Sequence, residues 1–106
     1  MIDLPENSSH IQSFRVNGSF YGHWICTETD VVFLVSEAAQ VLATYSQNAT
    51  MRDAEGIKIG SFRMGARYTW YFVCHNEAET QYDGYGNDLL NAEVEISKLF
   101  IEGKLK

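Results

Sequence analysis

This chain carries few of the residues that staple or stiffen a fold. Among its 106 residues there are two cysteines, Cys26 and Cys74, and a single proline, Pro5. Two thiols exclude a disulfide-dense scaffold and a zinc centre built from four thiolates. One proline excludes a polyproline or collagen-like chain. No apolar run approaches the length of about 18 residues that a membrane span needs, and no glycine-rich stretch has the spacing of a phosphate loop. The N-terminus lacks the basic and apolar regions of a secretory signal, which predicts a cytoplasmic protein with both thiols reduced. In that setting Asn7 and Asn48 match the glycosylation pattern only by coincidence.

Basic residues are scarce as well, eight against fourteen acids, for a net charge of −6. Their distribution says more than the total. Residues 1–55 carry −5, residues 77–106 carry −4, and residues 56–76 hold Lys58, Arg63 and Arg67 with no acid at all. A basic island therefore sits in an acidic molecule.

What the chain does have is apolar and aromatic substance. Hydrophobic residues make up 45% and include fourteen Phe, Tyr and Trp side chains, enough for one core that needs neither metal nor disulfide. The length predicts one domain over residues 10–106 behind a flexible N-terminus, residues 1–9. Two stretches resemble each other at an offset of 48 residues, Ser13 to Cys26 and Ser61 to Cys74. Each opens with Ser-Phe-Arg, turns near a glycine, climbs through aromatics and ends on cysteine, which suggests a repeat of 11–47 in 59–103.

Local signals fill in the elements. Asn17-Gly18 marks a two-residue hairpin, with a return strand from Ser19 that sets Phe20, Gly22, Trp24 and Cys26 on one face and Tyr21, His23 and Ile25 on the other. Asp30 to Val35 reads as a buried strand. Ser36 to Ala43 reads as a helix, with Ser36 as N-cap and Ala38, Val41, Leu42 and Tyr45 inward. Residues 46–55 fit either a short helix or a loop. A second hairpin follows, Ile57 to Met64 and Arg67 to His75, then a loop and an amphipathic helix from Asp88 to Glu102 with Leu89, Leu90, Val94, Leu99 and Phe100 inward. The expected fold is α+β, a four- or five-stranded antiparallel sheet of two hairpins, each followed by a helix, with the helices on one face. Two equivalent halves would enclose a cleft lined by Trp24 and Trp70.

Chemical constellations are thin. His23, Cys26, Cys74 and His75 invite a metal, but residues three apart or adjacent in a strand point to opposite faces, so neither metal nor cofactor is expected. Neither cysteine has a context that would activate it, and no serine carries a nucleophile motif, so the protein is not expected to be an enzyme.

One family resemblance covers about a third of the chain. Val35 to Leu42, then Gly56, Ile59-Gly60 and Arg63 to Trp70, resembles the excisionase and MerR-type winged helix-turn-helix. The resemblance implies DNA contacts through a second helix and a wing, hence Gln47, Asn48, Thr50, Arg52, Lys58, Arg63 and Arg67. The other reading, and the leading one, is a small non-catalytic binding protein. It would use Tyr21, His23, Trp24, Trp70, Tyr71, Tyr82 and Tyr85 against a protein partner or a small aromatic or cationic ligand, since tyrosines give contact area at low entropic cost. Self-association through a hairpin edge, as a homodimer, belongs to the same reading.

Overall fold

A computed structural model describes residues 3–46 and 49–105. It contains eight strands and one long helix: β1 (Ser8–Val16), β2 (Ser19–Cys26), β3 (Val31–Ser36), β4 (Val41–Tyr45), β5 (Thr50–Asp53), β6 (Lys58–Met64), β7 (Trp70–Cys74), β8 (Gln81–Tyr82) and α1 (Leu89–Ile101). The strands form a single antiparallel meander in sequence order, β1 through β8. No described helix is long and apolar enough to cross a membrane.

Two corrections to the expected fold follow. The sheet has eight strands rather than four or five, and only the last of the two expected helices exists. Ser36 to Ala43 is instead a tight turn and a strand. Ala39 takes a positive φ of 62°, Ser36 and Gln40 close the turn through their backbones, and the Ser36 Oγ accepts from the Gln40 N–H at 3.2 Å. The serine expected to cap a helix caps a turn. Beyond it Val41, Ala43 and Tyr45 alternate inward with a period of two, the signature of a strand. Residues 50–53 form β5, and the Asp53 carboxylate closes the next turn by accepting from the N–H groups of Glu55 and Ile57.

α1 lies on the inner face of the sheet and forces it to curl. Near its start Gln12 of β1 donates to the Leu90 carbonyl; just past its end Tyr82 of β8 donates to the Lys104 carbonyl. The thirteen residues of α1 span roughly 20 Å, whereas eight flat strands would span about 34 Å. Contact with both outermost strands therefore needs a curved sheet. The inner core holds Leu34, Ala43, Tyr45, Met51, Phe62, Phe72, Ala92 and Ile96. The buried face of α1 is Ala92, Glu93, Ile96 and Ser97; Leu90, expected inward, is exposed. Asp88 caps the helix, its carboxylate accepting from Leu90 N–H at 2.9 Å.

The outer face of β2, β3 and β4 has its own apolar cluster, Cys26, Phe33, Val35 and Val41, with Leu4 and Trp24 packed on it. The N-terminal segment thus contributes to packing through Leu4. Gly60 is a close approach in the inner core: a Cβ there would lie 2.6 Å from the Phe72 ring.

The similarity of the two aromatic stretches does not extend to their faces. Cys26 and Trp24 belong to the outer cluster, Cys74 and Phe72 to the inner core. The turns account for this. The first hairpin pairs Val16 with Ser19 across two residues and carries a bulge near Ile11, while the second pairs Met64 with Trp70 across five. An added residue in a strand pair inverts which face the following side chains meet.

Candidate functional site

Inside the curl, one polar chain ties α1 to three strands. Gln12 of β1 donates through Nε2 to the Leu90 carbonyl at 3.3 Å and lies 3.4 Å from Nδ1 of His23. Because a carbonyl can only accept, the amide atom there is the nitrogen, so Nδ1 of His23 accepts and the imidazole proton sits on Nε2. That proton points at Ser97 Oγ, 2.9 Å away. Ser97 Oγ in turn bonds the Tyr45 hydroxyl, which reaches the Glu93 carbonyl at 3.4 Å. Each hydroxyl gives one proton and accepts another, so the chain runs in one direction from His23 through Ser97 and Tyr45 to the helix backbone. His23, Ser97 and Tyr45 are fully buried.

The His23–Ser97 distance is that of a base and a nucleophile, but the proton lies on the wrong nitrogen. A general base needs its lone pair on the hydroxyl, whereas here Nε2 donates to it. Burial lowers the His23 pKa to about 4, which keeps the ring neutral, and pushes the Tyr45 phenol far up. Beside this chain sits Glu93, 3% exposed, with Oε1 lacking any partner among the described residues. Desolvation, and to a lesser degree the Asp88 charge, raises its pKa to about 8, so the carboxyl is protonated at neutral pH. Among the described residues no three His, Cys, Asp or Glu side chains gather to hold a metal. As arranged, the buried chain is a tie between helix and sheet.

The open concavity lies on the opposite side of the sheet. A groove of about 650 Å³ crosses the outer face of β6, β7 and β8, lined by Lys58, Ser61, Arg63, Tyr71, Val73 and His75 with Glu77, Glu79 and Gln81 on its far side. Strand register builds it. Arg63 pairs with Tyr71, and Ser61 with Val73, which pairs with Gln81. These residues share the parity that turns away from the inward Phe62, Phe72 and Cys74. Thr50 and Arg52 on β5 continue the strip: Thr50 pairs with Ser61 and Arg52 with Lys58.

The expected binding aromatics are thereby separated. Only Tyr71 lines the groove. His23 is inside the core, Tyr21 stacks on Phe14 on the inner face, and Trp70, Tyr82 and Tyr85 pack against the same core. Burial moves the Tyr85 phenol up to about 12. Trp24 sits on the outer cluster, edge-on to His10 with the two ring centroids 5.1 Å apart. Trp24 and Trp70 therefore face opposite sides of the sheet, and the expected cleft between them does not form. Cys26 and Cys74 are buried thiols outside any disulfide, and they likewise lie on opposite faces.

Of the residues that the winged-helix resemblance implied, Gln47 and Asn48 lie outside the described residues. Thr50 and Arg52 are on a strand rather than a recognition helix, and Arg52 donates to the Gly56 carbonyl at 3.0 Å. Lys58 and Arg63 project from β6, and Arg67 sits in the turn before β7 with φ at 60°. Comparison with known protein families, curated proteins and solved structures finds no match to this chain. The site therefore rests on its own geometry.

Sequence reasoning missed Ser97 and Glu93. The available signal was their spacing: with Leu90 they form an i, i+3, i+7 row, and two polar residues on that row ask for buried partners.

Proposed function

We propose that this is a small non-catalytic binding protein that meets a protein partner on the outer face of β6, β7 and β8. The observation that carries this is the Arg63–Tyr71 cross-strand pair on the groove floor. Arginine and tyrosine are enriched where interfaces concentrate their binding energy, and here the guanidinium has no ion-pair or hydrogen-bond partner among the described residues. Val73 beside them adds apolar area, and the charged residues at the margins form the polar rim expected around such a patch.

The test is site-specific photo-crosslinking in cells, with a photoreactive phenylalanine analogue replacing Tyr71 or, as control, the exposed Glu28. Adducts that form at position 71 and not at 28 support the reading. Equal yields at the two positions, or none at either, reject it.

A second reading has one observation in its favour. Arg52 and Lys58 are cross-strand partners, with Arg63 further along β6, so the basic island is a strip that could follow a phosphate backbone. It predicts salt-sensitive binding of duplex DNA that the Arg63→Ala, Arg67→Ala double variant loses. A wild-type gel shift that shows no binding at low salt ends it.

A further inference from the structure

The groove face is divided by charge into three bands. Along β6 run Lys58 and Arg63; Glu77 and Glu79 lie in the loop before β8 and Asp83 just past it, beside Tyr71 and Gln81; β7 between them presents Tyr71 and Val73. All five charged residues are exposed, and none joins an ion pair among the described residues. The two described ion pairs lie on α1 and just past it, far from this face in sequence. One further contact within the acidic band is the bond from Gln81 Nε2 to Asp83 Oδ1, at 2.7 Å.

Such a pattern is complementary to itself. A twofold axis lying in the contact plane along β7 brings the basic edge of one copy over the acidic edge of another. Strand order and register fix the ends. Arg63 lies level with Tyr71 at one end of the groove, while Glu77 and Glu79 lie in the turn beyond Cys74 at the other. Lys58 begins β6 at the Glu77 end, and Asp83 follows Tyr82, which is level with Phe72, at the Arg63 end. Rotation by half a turn about that axis exchanges the edges and keeps the ends. Arg63 then meets Asp83 of the second copy, Lys58 meets Glu77 and Glu79, and the Tyr71 and Val73 side chains of the two copies close the centre.

From this we infer that the partner on the outer face of β6, β7 and β8 is a second copy of this chain, related by twofold symmetry. The inference rests on the reading of that face as the contact surface. An isologous contact of this kind closes on itself, so it gives a dimer and not a filament. Facing sheets pack about 10 Å apart and within about 30° of alignment, which lets long Arg, Lys and Glu side chains reach across the margins. The strands β6, β7 and β8 have seven, five and two residues, so the face covers at most roughly 14 Å by 20 Å, well below the 800 Å² or so that each partner buries in a stable complex. The dimer is therefore weak, with a Kd on the order of 10 to 100 μM, and sensitive to salt.

Sedimentation equilibrium of the native-length protein at low ionic strength tests this, together with two charge reversals. Arg63→Glu places like charges at both symmetry-related contacts of its own homodimer, and so does Asp83→Arg; each should weaken dimerisation more than about tenfold. In an equimolar mixture both contacts pair opposite charges again, and a 1:1 heterodimer should return to within about threefold of the wild-type affinity. Three results would overturn the inference: a wild type that is monomeric at about 200 μM, a dimer indifferent to Arg63→Glu, or a mixture that stays monomeric. A monomeric wild type whose position 71 still crosslinks to some other protein would sink the dimer and leave the contact surface standing.

Discussion

Two buried titratable side chains set opposing pH dependences, and the sign of each follows from proton counting. His23 titrates near 4 in the fold against 6.5 unfolded. Between those values the unfolded chain binds more protons, so stability falls as pH is lowered, by about 3 kcal/mol in full. Glu93 titrates near 8 in the fold against 4.5 unfolded. Here the native state binds more protons, and stability falls as pH rises, by about 4 to 5 kcal/mol in full. The two slopes cancel between roughly pH 5 and 6, which places the optimum there, and the decline from there to about pH 9 belongs to Glu93. Glu93→Gln keeps the shape of the neutral acid and cannot ionise. Thermal melts should find the variant close to wild type at pH 5.5 and clearly more stable at pH 8.5. Two Tm curves that run parallel across that range would show that the carboxyl does not titrate where its burial requires.

At the scale of elements, the sequence was most legible where a backbone requirement is strict. Asn17-Gly18 takes positive φ at both turn positions, and Asp88 caps α1, as local chemistry predicts. The face assignment along β2 was also readable, because a period of two needs no tertiary information. Ser36 to Ala43 misled because serine, glutamate and two alanines favour a helix by propensity, while the competing alternation of Val41, Ala43 and Tyr45 spans only five residues. Packing against α1, far along the chain, decides between them. The groove was the least legible feature, since only the pairing of β6, β7 and β8 brings Arg63, Tyr71 and Glu79 to one face. The turn supplies its own test. Ala39 has φ at 62°, so Ala39→Gly should raise stability by about 0.5 to 1 kcal/mol, whereas in a helix the same change would cost about 1 kcal/mol. Urea denaturation gives the sign. In the core the opposite exchange is harmful: Gly60→Ala would drive a methyl into the Phe72 ring, and the urea midpoint should fall by an amount equivalent to about 2 kcal/mol or more.

For the whole molecule, the arrangement of α1 predicts that both ends of the sheet unfold together. The helix reaches β1 through Gln12, its C-terminal extension reaches β8 through Tyr82, and between them it covers the core from Leu34 to Phe72. Neither end of the meander can keep its inner face buried once the helix leaves. Two tryptophans report on the two ends, Trp24 on β2 in the outer cluster and Trp70 on β7 against the inner core. In the single-tryptophan variants Trp24→Phe and Trp70→Phe, denaturation followed by the remaining indole should give one shared midpoint once each variant is referenced to its own circular dichroism transition. Ile96 is fully buried on α1 and central to that cover, so Ile96→Ala should cost about 2 to 4 kcal/mol. The decisive feature is that it should move both reporters equally, although β2 and β7 are separated by four strands. Midpoints that separate, with Trp70 following Ile96→Ala and Trp24 unmoved, would mean that the first strands hold together without the helix. In that case the resemblance between the two aromatic stretches would mark two folding units, and the curl around α1 would not be what unites the chain.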